Sequence, residues 1–236
     1  MKFGRTVGLA AAISIAAAAP AHAAKVEHVS KLGRTSYYAF VEKADTARAQ
    51  PKTSARTVAR LKTKSPEKTD DLVLVLDRTV VGDEEWLRVR LPVKPNGTTG
   101  WVKASSLSEL QPVNTWLRVS TKTFKATLVK NGKRVFSASI GVGQPQWPTP
   151  KGQFYVRAKL EKYGAKGSFY GPLAFITSAT SPTLTDWPGG AVVGIHGTSQ
   201  PGLIPGRISH GCVRLKNADI LKLAKLMPVG TPITIT

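Results

Sequence analysis

The chain has 236 residues, 42% of them apolar, and a formal net charge of +20. That length and apolar share describe one large domain or two modest ones with at least one proper core. The charge draws the chain toward polyanions by salt-sensitive attraction, and a single cysteine excludes an internal disulfide.

Lys2 and Arg5 precede an apolar run from Val7 to Ala19, then Pro20 and the small-residue pattern Ala21-His22-Ala23. Basic, apolar and small segments in that order describe a secretory signal peptide over residues 1–23, cut after Ala23. The run is too short to span a bilayer comfortably, which disfavours a retained anchor, and no Cys near the cut can carry a lipid. No later segment is long and apolar enough to cross a membrane. The mature chain is therefore expected to be exported, to periplasm or cell wall, with no stable membrane anchor. An exported chain meets no nucleic acid, so its basic charge would face anionic envelope polymers or serve only solubility.

Residues 24–36 are polar and aperiodic and read as a flexible mature N-terminus. From 37 to 110 short strand patterns follow one another. Leu72-Val73-Leu74-Val75-Leu76 is a buried-strand run, Trp86 to Leu91 alternates apolar with basic, and Asn96-Gly97 suits a tight turn. Gly100-Trp101-Val102 resumes a strand, and Ala104 to Leu107 suits one closing turn of helix. Strands this closely spaced suggest a small closed barrel. Val58-Ala59-Arg60-Leu61, Glu85 to Val89 and Gly100-Trp101-Val102 resemble a bacterial Src-homology-3-like domain, which implies either wall binding or a passive spacer.

Gln111-Pro112 marks a boundary, and residues 112–236 are again strand-rich. Thr115 to Lys130 and Lys133 to Ile140 flank the hairpin signal Asn131-Gly132. Phe154-Tyr155-Val156, Leu173 to Ile176 and Val192 to Ile195 are further strands. The Gly-, Pro- and Trp-rich stretches 143–152, 163–172 and 181–190 are long loops, of the kind that carry function. One helix is expected, capped by Asn217, with Ile220, Leu221, Ala224 and Met227 on one face and Pro228 at its end. Ile233 and Ile235 alternate in a last strand. The fold class is mainly β, a small barrel followed by a β-rich domain with one clear helix.

The chemistry concentrates between Gly194 and Leu215, in Ile195-His196-Gly197-Thr198 and Ser209-His210-Gly211-Cys212-Val213-Arg214-Leu215. A free thiol is only a few per cent thiolate at neutral pH, and an adjacent imidazole raises its reactive fraction. His210 would share a face with Cys212 if that segment is extended, and His196 would approach from a separate strand. No Asp or Asn stands where a triad would need one, but the Gly197 carbonyl can orient an imidazole. The N–H groups of Gly211 and Cys212 can face a developing oxyanion. A lone Cys is otherwise most often a small core residue, and two His with one Cys can ligate zinc. No Asp or Glu supports a zinc site nearby, and attack by a thiolate accounts better for Gly211. Neither metal nor cofactor is expected.

His-Gly-Thr, about a dozen residues, and Ser-His-Gly-Cys-Val-Arg-Leu together resemble the signature of the L,D-transpeptidase catalytic domain. Thr149-Pro150-Lys151-Gly152-Gln153-Phe154 is similar to that family's Thr-Pro-x-Gly-x-Phe turn. The resemblance covers about Pro112 to Thr236 and implies Cys212 as nucleophile, His196 as proton acceptor and donor, and Gly197 as the orienting carbonyl. It further implies that Ser209, His210 and Gly211 shape the site and the oxyanion hole. Arg214 would hold a substrate carboxylate or brace the loop, and Tyr170 and Trp187 would line the cleft or pack in the core. The implied partners are peptidoglycan stem peptides, as donor and acceptor, and a wall-linked lipoprotein as another acceptor. Water as acceptor would make an L,D-carboxypeptidase, and a wall-binding adaptor with a degenerate catalytic domain is the non-enzymatic alternative.

Overall fold

A computed structural model describes residues 1, 25–161, 168–184 and 191–236. The segment read as a signal peptide lies outside the described residues, apart from Met1, as does Trp187.

The fold is mainly β, arranged in two sheets. The first contains β1 (Glu27–His28), β2 (Ser36–Phe40), β3 (Asp45–Arg48), β4 (Thr57–Leu61), β5 (Leu72–Val81), β6 (Glu84–Arg90), β7 (Thr99–Lys103) and β8 (Gln111–Val113). Its order is β4-β3-β7-β6-β5-β2-β8, with β1 added to β5 and every pair antiparallel. A single 3-10 turn at Ala104–Ser106 follows β7, as the sequence suggests. Two expected limits shift. Residues 27 and 28 pair with β5, and Gly33 packs beside the Trp116 ring, so the segment expected to be a loose N-terminus lies against the body. Gln111–Val113 pairs with β2, so the first sheet runs through the expected boundary to Val113.

The second sheet contains β9 (Thr115–Ser120), β10 (Lys125–Lys130), β11 (Lys133–Ser139), β12 (Gly141–Gly143), β13 (Gly152–Glu161), β14 (Leu173–Thr180), β15 (Val192–His196), β16 (Gly206–Ser209), β17 (Val213–Arg214) and β18 (Pro232–Ile235). Its order is β11-β10-β9-β18-β13-β14-β15-β17-β12-β16. Asn131 and Gly132 take φ of 50° and 76°, the left-handed pair that a two-residue hairpin requires, and join β10 to β11. Three pairs are parallel: β18 with β9, β12 with β16, and β15 with β17.

The helix α1 (Asn217–Leu226) buries Ile220 and Leu223, and Met227 follows on the same side. Leu221 is exposed rather than on the packed face, because the buried spacing is i, i+3 and i+7 from Ile220. Asn217 does not cap the helix. Lys216 is the N-cap residue, and the Asn217 side chain faces the site instead.

Leu72-Val73-Leu74-Val75 is apolar throughout because β5 is covered on both faces. Val73 and Val75 enter the core of the first sheet with Leu87, Val89 and Val102, whereas Leu72 and Leu74 pack on Tyr155 of β13. The two sheets therefore share a seam. Tyr155 donates its hydroxyl to Leu72 O at 3.2 Å, and Arg157 forks onto Asp71 with three contacts of 2.8–3.1 Å. Phe154, Phe175, Ile195, Leu215 and Ile220 fill the separate core of the second sheet.

Candidate active site

β15 and β17 run in parallel, with Ile195 opposite Val213 and His196 opposite Arg214. Side chains alternate across a sheet, so Gly194 and His196 share one face of β15. Cys212, at the entry to β17, presents its sulfur to that same face beside Gly194, whose N–H donates to Cys212 Sγ at 3.4 Å. Gly194 keeps the space between the groups open. A Cβ built there would stand 3.8 Å from His196 Cδ2 and 3.9 Å from Cys212 Sγ.

His196 is buried, and its Nδ1 donates to Gly197 O at 2.6 Å. A carbonyl only accepts, so this bond protonates Nδ1 and leaves Nε2 as the basic nitrogen. Gly197 O and His196 Nδ1 are thus in direct hydrogen-bond contact. Burial lowers the imidazole pKa from 6.5 to about 4, aided by the charge of Arg214 and opposed by hydrogen bonds to the Gly197 and Tyr170 backbone. Burial pushes the Cys212 thiol up, against the Gly194 N–H and the Arg214 charge. Both shifts favour a neutral thiol beside a neutral imidazole rather than a standing ion pair.

The loop that delivers Cys212 is latched at several points. Gly211 takes φ of 115°, so Ser209 to Cys212 is not extended, and His210 lines the cleft together with Cys212. Its ring stands 4.2 Å from that of Trp147, a residue sequence reasoning did not connect to the site. Ser209 Oγ donates to Cys212 O at 2.6 Å and accepts the Gly211 N–H at 3.2 Å. That bond engages one of the two expected oxyanion donors; the Cys212 N–H has no hydrogen-bond partner among the described residues. Thr149 Oγ1 donates to Gly211 O and accepts the Gly143 N–H, both at 2.8 Å. The Thr-Pro-Lys-Gly segment is therefore tied directly to the cysteine loop. From the other side, Asn217 Oδ1 accepts the Thr198 N–H at 2.9 Å and holds the His-Gly-Thr segment.

Arg214 is buried beside the thiol, with its guanidinium carbon 4.0 Å from the Phe169 ring centroid. It has no carboxylate partner among the described residues, and its Nε lacks any hydrogen-bond partner there. Tyr170 lines the cleft with its ring 5.0 Å from that of His196. Phe169, Ser181, Leu184 and Ala191 complete the wall around Ser209, His210, Cys212 and Arg214. Phe169, Gly194 and Trp147 escaped the sequence reading because their roles arise only from contacts made across loops. Among the described residues no cluster of three His, Cys, Asp or Glu side chains could hold a metal ion.

This cleft falls within a match to a family model. The YkuD family model, described as the L,D-transpeptidase catalytic domain, matches residues 114–235, and the chain belongs to that family. YkuD of Bacillus subtilis (strain 168) is 31% identical over 124 residues, which are 52% of this chain and 66% of that protein. YqjB of the same organism is 29% identical over 133 residues, 53% of this chain and 73% of that protein. The chain thus spans just under two thirds of YkuD. Among solved structures, the catalytic domain of the E. faecium L,D-transpeptidase aligns with a TM-score of 0.39 at 26% identity, covering 52% of this chain and 96% of that one. The family assignment rests on the sequence matches.

Proposed function

We propose that the protein is an L,D-transpeptidase that acts on peptidoglycan stem peptides through a thioester on Cys212. The observation that carries this reading is the placement of Cys212 and His196 on one face of β15 and β17, separated by Gly194. His196 Nε2 takes the thiol proton as Cys212 Sγ attacks the carbonyl of the L-centre of the third stem residue. The Cys212 N–H stabilises the resulting oxyanion. The C–N bond to the terminal D-Ala breaks, its nitrogen takes the proton from His196, and a thioester remains. An acceptor amine, from a second stem or a wall-linked lipoprotein, then attacks while His196 accepts its proton, and the thiolate leaves to be reprotonated. Arg214 supports this reading as a buried cation without an acid partner, suited to a donor carboxylate.

Residues 1–23 direct export in this proposal, and the first sheet, from Glu27 to Val113, is a Src-homology-3-like module that contacts the wall. The basic composition supports electrostatic attraction to anionic wall polymers.

Incubation with a carbapenem, followed by intact-mass and peptide mass spectrometry, tests the nucleophile. A single adduct on Cys212 that is lost in Cys212→Ala is expected. A natively folded protein that stays unmodified would exclude the enzyme in favour of a wall-binding adaptor. Muropeptide analysis of treated sacculi then separates the acceptors: crosslinked products report an amine, and trimmed tripeptides report water.

A further inference from the structure

We infer that Asn96, in the connection between β6 and β7, is a positioning residue for the cleft, so that the first sheet builds part of the active site. The inference rests on the transpeptidase reading and adds to it a contribution from outside the catalytic domain.

Asn96 reaches Thr180 at the end of β14 with all of its amide. Nδ2 donates to Thr180 O at 2.7 Å, and Oδ1 accepts both the Thr180 N–H and the Thr180 hydroxyl at 3.0 Å. The opposed donor and acceptor on the Thr180 backbone fix which end of the amide is which. Topology explains why an amide is needed there. β13 accompanies β14 only as far as Thr177, opposite Val156, whereas Thr180 is paired on its other side with Val192. Beyond Thr177 that edge of β14 has no backbone-paired strand, and the Asn96 side chain supplies a rung at Thr180.

The next residue is Ser181, and it belongs to the cleft. Its N–H donates to Ala191 O at 2.8 Å, and its Oγ accepts the N–H groups of Thr183 and Leu184 at 3.4 and 3.1 Å. Ser181, Leu184 and Ala191 line the same cleft as Cys212 and His196. Asp71–Arg157 and Tyr155–Leu72 also fasten the two sheets to each other. The chain of contacts therefore runs from the first sheet through Thr180 to the cleft that holds the thiol. Thioester formation demands close placement of the stem carbonyl over Cys212, and displacement of a wall by about 1 Å is enough to slow such chemistry severely.

The test compares wild type, Asn96→Ala and Thr180→Val by three readouts: Cys212 acylation by a carbapenem, amide exchange, and the thermal midpoint. Asn96→Ala should slow acylation by about tenfold or more and speed exchange at residues 181–184 and 191–193, with protection elsewhere in both sheets retained. Thr180→Val, which removes only the hydroxyl contact, should fall between wild type and Asn96→Ala. Wild-type acylation and exchange in Asn96→Ala would overturn the inference. So would a uniform loss of protection with a matching drop in midpoint, since that describes general destabilisation. If wild type itself resists acylation, the nucleophile reading fails, and exchange at 181–184 alone decides whether Asn96 holds the wall.

Discussion

Burial acts on the two groups of the proposed pair in opposite senses, raising the thiol of Cys212 and lowering the imidazole of His196. Both shifts favour the uncharged forms, so in the proposed reaction the proton moves as the carbon–sulfur bond forms. The imidazole also links stability to acidity. A His with a folded pKa near 4 binds fewer protons than its unfolded counterpart near 6.5, so stability falls as pH drops through that window. A loss of about 2–3 kcal/mol is expected between pH 6.5 and 4, and His196→Gln should flatten that part of a stability–pH profile measured by denaturant unfolding. Arg214 makes a second residue-scale prediction. Its buried Nε is unpartnered, so Arg214→Met should leave the thermal midpoint unchanged or raised. The same variant should raise KM for a stem-peptide donor by about ten- to a hundredfold. A lowered midpoint with unchanged KM would assign the side chain to bracing the loop.

At the scale of elements, the parallel register of β15 and β17 decides what can stand between thiol and imidazole. A methyl on Gly194 would make ordinary van der Waals contacts, none closer than 3.6 Å, so Gly194→Ala should fold with a wild-type midpoint. That methyl nevertheless touches both side chains of the proposed pair, and carbapenem acylation should slow by about tenfold or more. Stopped-flow or timed mass spectrometry reads the outcome. The two sequence segments that meet here were legible as motifs, since their His, Cys and Gly are unusual together within so few residues. Gly194 was not, because its meaning depends on which residue lies across a parallel pair 18 positions away. Asn217 misled for the related reason that a local rule, helix capping, competes with a tertiary one, the bond to Thr198. Asn96 likewise reads as a turn former, yet its amide serves Thr180. By contrast, Asn131-Gly132 and the continuous apolar run of β5 were legible because each local pattern has a single structural use. The limits of the first sheet were not, since β1 and β8 are two- and three-residue strands with no periodicity to detect.

At the scale of the whole molecule, the Asp71–Arg157 pair couples the two sheets. Both side chains are buried, so removing one leaves an uncompensated charge, and Asp71→Ala should cost about 3–5 kcal/mol. Calorimetry should show one unfolding transition for the wild type and two for Asp71→Ala, as each core melts separately. The strongly basic balance of the chain predicts that binding to isolated sacculi weakens steeply with added salt, while carbapenem acylation of Cys212 does not. The single cysteine of the sequence has a different consequence. Oxidation of Cys212 to the sulfenic acid finds no second thiol in this chain to form a disulfide with, so the molecule cannot repair itself. Recovery would depend wholly on an external reductant, and with Cys212 in its proposed role one thiol count would give the fraction of molecules still competent.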